Sequence, residues 1–288
     1  MISIENISYS YGDSMILNNL SLQEKDPVIT GLWGRNGSGK TTLMKLMAGH
    51  IKPDIGTIRI KGKQPYNNLE ATQNICFMQE DHPFSSIWSV HDTLRFARYF
   101  NENWNQETAD RLMDTFRLPL KKKVIKLSKG MKTALQIIIG LSSYADVTIL
   151  DEPTNGLDAG MRKKFYKALQ ESYENHPRLI LVSTHHIEEI QPLCESLIVI
   201  HNQEVLLHES MDNVRMRGVW LAGDKEKVEQ LIKNQRVLGR DRMGSKIKML
   251  MDLPYSREWK ELADRNGVYI EKANMQDYLL NISEAEVG

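Results

Sequence analysis

Cysteine is almost absent from this chain, with two residues in 288. Cys76 and Cys194 stand far apart, each in apolar surroundings, so two reduced, buried thiols are expected rather than a disulfide or a metal pair. An excess of either charge is also absent, since 37 basic residues balance 37 acidic ones. That balance argues against a protein whose main work is to coat nucleic acid, and no nucleic-acid partner is expected. No uninterrupted apolar run approaches the roughly 18–20 residues that a membrane span requires. The start, with Glu5 among alternating polar residues, does not have the form of a secretory leader. A soluble, cytosolic chain is expected, long enough for one large domain or for a large and a small one.

What is present is concentrated in one stretch. Val28 to Trp33 is a strand-like apolar run, and Thr42 to Ala48 reads as a helix that stops at Gly49. Between them Gly34 to Thr41 spells GRNGSGKT. This is the phosphate-binding pattern of a glycine, four residues, a second glycine, lysine and a hydroxyl residue. The glycines let successive N–H groups converge on phosphate oxygens at the positive end of a helix. Lys40 would reach the β and γ phosphates, and the Thr41 hydroxyl would be a Mg²⁺ ligand. A Gly-rich turn is the competing reading, and the flanking strand and helix weigh against it. A nucleoside triphosphate site is therefore expected.

Other stretches carry related chemistry. Residues 2–9 and Met15 to Leu22 alternate as strands around a turn at Tyr11-Gly12-Asp13, and Tyr11 is a candidate platform for a purine. Thr57 to Ile60 and Asn74 to Met78 read as strands, the second ending at Gln79. From about Ser89 to Phe116 the pattern is helical, and Ser128 sits where it would cap a further helix carrying Ala134, Ile137, Ile138 and Leu141. Val147 to Leu150 is a short buried strand that ends in Asp151-Glu152-Pro153. Pro153 cannot continue a central strand, so both acids stand at a carboxyl end, where open α/β sheets place ligands. There one carboxylate can support Mg²⁺ through water while its neighbour orients a water toward the γ-phosphate. Leu179 to Ser183 is another buried strand, and it ends in Thr184-His185-His186. These histidines could touch phosphate; a metal site is the weaker alternative, because no third ligand is near. A helix over 187–195 and a hairpin of Leu197–Ile200 with Glu204–His208 close the unit near residue 210.

The ordered set Tyr11, GRNGSGKT, Gln79, LSKGM, ILDEP, NGLD and STHH resembles the nucleotide-binding domain of ATP-binding cassette (ABC) ATPases, across about residues 2–210. The resemblance implies an α/β fold of the P-loop NTPase class with a helical subdomain inserted at about 84–142. It also implies ATP and Mg²⁺ as ligands. The nucleotide would be held by Tyr11, Gly34, Asn36, Gly37, Gly39, Lys40, Thr41, Thr42 and Gln79. Thr41, Gln79 and Asp151 would serve the metal. Glu152 would act as general base or water-orienting residue, and His185 would read the γ-phosphate. Ser128 and Gly130 would approach the nucleotide of an opposite subunit, and Asp158 would contact that subunit across a dimer.

LSKGM departs from the usual LSGGQ, with Lys129 for the first Gly and Met131 for the Gln, and the lost Gln removes one polar contact. The implied assembly is a head-to-tail pair, of identical or paralogous chains, attached to a separate multispanning permease on the inner face of the cell membrane. Residues Phe84 to Trp88 form a candidate docking edge, although core packing explains them nearly as well. Beyond residue 210 the pattern gives strand, helix, two strands, helix, strand and a last helix. A small α+β accessory domain of ferredoxin-like order is expected over 211–288. LSKGM with such a tail most resembles ATPase subunits of bacterial exporters for amphipathic peptides, of the phenol-soluble modulin exporter type. The competing readings are a soluble ABC ATPase acting on ribosomes or DNA, a weakly hydrolysing ATP-dependent switch, and a P-loop kinase. The kinase is disfavoured by Glu152 beside Asp151.

Overall fold

The computed structural model describes residues 1–25, 27–233 and 235–285. The chain forms two compact units, residues 1–185 with 193–208 and residues 186–192 with 209–288. The accessory domain expected at 211–288 reaches residues 286–288, which lie outside the described residues.

The first unit begins with β1 (Ile2–Tyr11), β2 (Ser14–Glu24), β3 (Ile29–Trp33), α1 (Lys40–Met47), β4 (Ile55–Ile60), α2 (Leu69–Thr72) and β5 (Ile75–Met78). It continues with α3 (Val90–Phe100), α4 (Gln106–Phe116), α5 (Lys129–Ser142), β6 (Val147–Leu150), α6 (Ala159–Asn175) and β7 (Leu179–Ser183). The short helix α7 (Ile187–Ile190) falls in the second unit, and the chain returns as β8 (Ser196–His201) and β9 (Glu204–Ser210). The helix expected over 187–195 stops at Ile190, because Pro192 has no N–H to give and its ring obstructs the carbonyl four residues back.

Two sheets result. β2-β1-β4 is antiparallel, while β5-β6-β7-β3-β8-β9 is parallel from β5 through β8. Every residue of β3, β6 and β7 is buried, which is why these strands read as unbroken apolar runs rather than alternating ones. Ile4, Leu20, Leu32, Met44, Ile58 and Leu181 belong to one core cluster that draws on both sheets and α1. The turn from β8 to β9, Asn202-Gln203, has both residues at positive φ, 46° and 73°, as a tight two-residue hairpin turn requires. Strand order then fixes the site: the loops after β3, β5, β6 and β7 all leave the same edge of the sheet.

The helical stretch from Ser89 is two helices. Ser89 and Asp92 form a reciprocal capping box at the start of α3, and Asn105 caps α4 by accepting the N–H of Thr108. Asn101 and Asn105, which bond locally to backbone, punctuate the run between them.

The second unit contains α7, α8 (Met211–Met216), β10 (Arg217–Asp224), α9 (Lys225–Leu231), β11 (Val237–Met243), β12 (Lys246–Pro254), α10 (Arg257–Arg265), β13 (Tyr269–Lys272) and α11 (Met275–Glu284). Its sheet is antiparallel in the order β11-β12-β10-β13, the strand arrangement of a βαββαβ ferredoxin-like unit. Val219, Leu221, Met249 and Met251 pack with Val228 of α9 and Ala263 of α10. Trp220 lies beneath the Lys248 ammonium, 4.5 Å from Nζ to the ring centre.

One buried charge stitches the first unit. Arg178 is 2 % exposed and donates to the carbonyls of Leu141, Ser172 and His176 and to the hydroxyls of Thr148 and Ser172. Burial pulls its guanidinium down to about 10, so it remains charged at neutral pH. Replacing it strands several buried acceptors at the meeting of α5, α6 and β6. Arg178→Met is expected to lower stability by about 3 kcal/mol, read from the urea unfolding midpoint.

Candidate functional site

The loop between β3 and α1 is shaped by what little space it has. Gly39, the residue before α1, has φ 101°, and a Cβ there would stand 2.7 Å from the Leu17 Cδ2 atom, so both backbone and packing demand glycine. Lys40 is 7 % exposed and folds back on its own loop, donating from Nζ to the Gly34 carbonyl at 2.6 Å and the Arg35 carbonyl at 3.3 Å. Burial pulls the ammonium pKa down, and the nearby charges of Glu152 and Asp151 act against that shift. The Ser38 hydroxyl is buried with no hydrogen-bond partner among the described residues. A loop that offers an unused hydroxyl and a buried cation fits an anionic ligand.

The carboxylates are set by strand adjacency. β6 pairs with β7 in a register that puts Leu150 beside Val182, so the residues that follow, Asp151 and Ser183, meet. The Thr41 hydroxyl donates to Asp151 Oδ2 at 2.8 Å, and the Ser183 hydroxyl donates to Asp151 Oδ1 at 2.7 Å. The same Ser183 oxygen accepts the Glu152 N–H at 2.8 Å. Burial pushes the Asp151 pKa up, opposed by the Ser183 and Thr41 hydrogen bonds. Glu152 has φ 47°, a left-handed conformation costly for a residue with a Cβ, and its carboxylate lies 2.8 Å from His185 Nδ1. The His185 side chain is 45 % exposed and the Glu152 side chain only 9 %, so the pair joins a buried carboxylate to a histidine open to solvent. Ser183 was legible in the sequence only as the end of a strand. A hydroxyl closing a wholly apolar run was the available signal.

A second cluster gathers the LSKGM and NGLD segments. Ser128 caps α5, accepting the Met131 N–H at 3.3 Å. A Cβ on Gly130 would lie 2.5 Å from the Gly156 carbonyl, so only glycine permits this approach of the two turns. Lys129 Nζ lies 3.2 Å from Glu80 Oε1, and Asn155 Nδ2 donates to the same oxygen at 2.9 Å. Gln136 Nε2 donates to the carbonyls of Gln79 and Glu80 at 3.0 and 3.1 Å. The charge of Glu80 is also among those that raise Asp151. Asp158 is exposed and caps α6, with Oδ1 accepting the Met161 N–H at 2.8 Å.

Of the expected site residues, Lys40, Thr41, Asp151, Glu152 and His185 therefore come together. Gln79 stands at the end of β5, whose last residue accepts the Asp151 N–H at 2.8 Å, and it joins the second cluster through its carbonyl. Gly34, Asn36, Gly37 and Thr42 lie in the loop and the first turn of α1. Tyr11 is half exposed at the β1–β2 turn, edge-on to Tyr9 at 5.0 Å between ring centres. Ser128 and Gly130 make their contacts with α5 and with Gly156. His186 belongs to the second unit, apart from His185. Among the described residues no group of three His, Cys, Asp or Glu side chains could hold a metal. The Thr41 hydroxyl and Asp151 carboxylate are hard oxygens, which suits Mg²⁺ held by few protein ligands together with substrate phosphates.

Residues 17–155 match the family model described as ABC transporter. The chain is 35% identical over 205 residues to the Nod factor export ATP-binding protein I of Burkholderia orbicola (strain AU 1054), covering 69% of this chain and 67% of that protein. It is 27% identical over 290 residues to the uncharacterized ABC transporter ATP-binding protein YdbJ of Bacillus subtilis (strain 168), covering 91% of this chain and 93% of that protein. Among solved structures, the dimeric post-hydrolysis state of the ATP-binding cassette MJ0796 bound to ADP and Pi superposes with a TM-score of 0.64, at 21% identity. It covers 73% of this chain and 99% of that one, and it supports the fold.

The raised pKa of Asp151 has a consequence for stability. A carboxyl whose folded pKa lies above its unfolded value costs stability once both states ionise, and the cost disappears as pH falls below the ordinary aspartate value of 3.8. Asp151→Asn is therefore expected to raise the Tm of the ligand-free protein at pH 7, with the gain fading as pH drops toward that value. A variant no more stable than the native chain at pH 7 contradicts this account of the site.

Proposed function

Because this chain belongs to the ABC transporter family of ATP-binding proteins, we propose that it binds and hydrolyses ATP to power a separate membrane permease. The observation that carries the reading is the bonded series Thr41–Asp151–Ser183–Glu152–His185, beside the buried Lys40. It sets a metal-side carboxylate and a water-side carboxylate back to back, so each can do work that the other would spoil.

On this reading Lys40 exchanges the carbonyls of Gly34 and Arg35 for the β and γ phosphates. The loop from Gly34 through Asn36, Gly37 and Gly39 to Thr42 wraps the same phosphates with backbone N–H groups. Tyr11 stacks on the adenine. Thr41, Gln79 and Asp151 would hold Mg²⁺ if it is bound there. Bound with ATP, Mg²⁺ would neutralise charge on the β and γ phosphate oxygens. Glu152 orients a water and accepts its proton as the water oxygen bonds to the γ phosphorus. The bond from that phosphorus to the bridging oxygen breaks, leaving ADP and phosphate. His185 holds the Glu152 carboxylate by its Nδ1 side and turns its other nitrogen toward the γ-phosphate.

The site is half of a pair. Ser128 and Gly130 of a second copy, at the positive end of α5, close over the triphosphate, and Asp158 meets the partner chain. ATP then joins the two copies and hydrolysis releases them. The permease docks on a different face, a groove of about 550 Å³ that includes Phe84, Trp88, Phe96 and Phe100. Exposed Ile87 and Tyr99 flank it in sequence. No helix among the described residues is long and apolar enough to cross a membrane. As the ATP-binding partner of a separate permease, the chain would work on the inner face of the cell membrane, in the cytoplasm. The LSKGM motif with its tail supports peptides or other amphipathic compounds as the cargo, and the likeness to a Nod factor export ATP-binding protein supports export as the direction.

Glu152→Gln tests the mechanism. It is expected to cut turnover by about 100-fold or more while leaving ATP bound. Light scattering should then find an ATP-dependent dimer that the native chain forms only transiently. Undiminished hydrolysis contradicts the role of Glu152, and a chain that stays monomeric with ATP bound contradicts the pairing.

A further inference from the structure

His185 and His186 are consecutive, yet His185 is bonded to Glu152 in the first unit while residues 186–192 are built into the second. α7 spans four residues, too few for a helix to persist unaided. Its Ile187 and Ile190 are buried, and of its two carboxylates the more exposed, Glu188, accepts a hydrogen bond on each oxygen. Glu188 Oε1 accepts the backbone N–H of Gln276 at 2.9 Å, and Oε2 accepts Gln191 Nε2 at 2.6 Å.

Gln276 is the second residue of α11, where the first N–H groups have no partner within the helix. Asn274 supplies an acceptor for Asp277 at 2.7 Å, the ordinary local cap. For Gln276 the acceptor comes from 88 residues earlier in the chain, as a carboxylate placed at the positive end of the helix. At the other end of the segment, Arg215 of α8 donates to the Gln191 carbonyl and pairs with Asp212 at 2.8 Å. The residues after His185 are thus clamped between α11 and α8.

We propose that Glu188 and Arg215 are positioning residues for His185, and that through them the C-terminal unit sets the rate of ATP hydrolysis. This rests on the reading above, in which His185 and Glu152 act on ATP. His185 must present Nδ1 to Glu152 and its other face to phosphate. Its backbone on the C-terminal side is fixed only as firmly as residues 186–192 are. Displacements of about 1 Å in such a group can cost a large factor in rate. Linkage makes the coupling reciprocal: whatever loosens or tightens α11 and α8 biases His185, and nucleotide binding at His185 alters protection in α11.

The test uses the full chain with Glu188→Ala, Glu188→Gln and Arg215→Ala. Glu188 is exposed, so these chains should fold. Steady-state ATP hydrolysis and amide hydrogen exchange over residues 184–190 are measured for each. Glu188→Ala should lower kcat about tenfold with KM within about twofold, and exchange over 184–190 should speed up. Glu188→Gln keeps an oxygen for the Gln276 N–H and should bring kcat back to within about twofold of native, whereas Arg215→Ala should follow Glu188→Ala. Native kcat in Glu188→Ala overturns the proposal, whether or not exchange changes, and so does an equal loss in the Ala and Gln variants. If the native chain does not hydrolyse ATP, the reading of the site has failed instead. Exchange then decides alone: faster exchange in the Ala variant but not in the Gln variant upholds the clamp, and unchanged exchange removes it.

Discussion

The carboxylate of Asp151 accepts a hydroxyl on each oxygen, Thr41 from the loop after β3 and Ser183 from the end of β7. Everything else in the site is arranged around that double acceptance. It requires β6 and β7 to be neighbours in one register, with β3 next in order so that its loop reaches the same edge. It requires strands buried on both faces, because a parallel sheet in this position is covered on both sides. It also sets the next residue. With Ser183 holding the Glu152 N–H, the chain turns into a left-handed conformation in which the Glu152 carboxylate meets His185. Burial raises the Asp151 pKa, so the ligand-free protein carries a charge that it holds at a loss. A cation beside that carboxylate relieves the cost, which makes the site more comfortable occupied than empty.

The same sheet edge carries a second cluster that mirrors the first in logic. Glu80 shares one oxygen between Lys129 and Asn155 and contributes to the field at Asp151. The Ser128–Gly130 turn is thereby held against the Asn155–Gly156 turn of its own chain. Lys129, which stands where the related motif has glycine, has an acidic partner within its own chain. The substitution therefore adds a contact without burying an unpaired charge.

How much of this was legible in the sequence follows from the range of each interaction. The Gly34–Thr41 loop, the Ser128 cap, and the acids after Val147–Leu150 could be read because the chemistry is local. A glycine spacing, a hydroxyl before a helix, or a proline after a strand carries its meaning within about eight residues. The strand and helix order of the C-terminal unit was legible for the same reason, apart from α8, a helix too short to show a period. Ser183, Glu80 and Arg178 were not legible as site or core residues. Their roles come from strand register and from partners 30 or more positions away in the cases of Ser183 with Asp151, Lys129 with Glu80 and Arg178 with Thr148. The assignment of residues 186–192 to the second unit was likewise hidden, since it depends on an N–H in α11 that needed an acceptor.

On the proposed function, the Gly34–Thr41 loop is half of a site completed by another copy. The most direct measurement mixes two inactive chains. Lys40→Ala cannot grip its own triphosphate, and Ser128→Arg cannot lend its turn to a partner. In a mixed pair, one site has an intact loop from the Ser128→Arg chain and an intact turn from the Lys40→Ala chain, while the other site lacks both. Random pairing of equal amounts should then restore about a quarter of native ATP hydrolysis. Activity no greater than the average of the two separate variants would contradict the account.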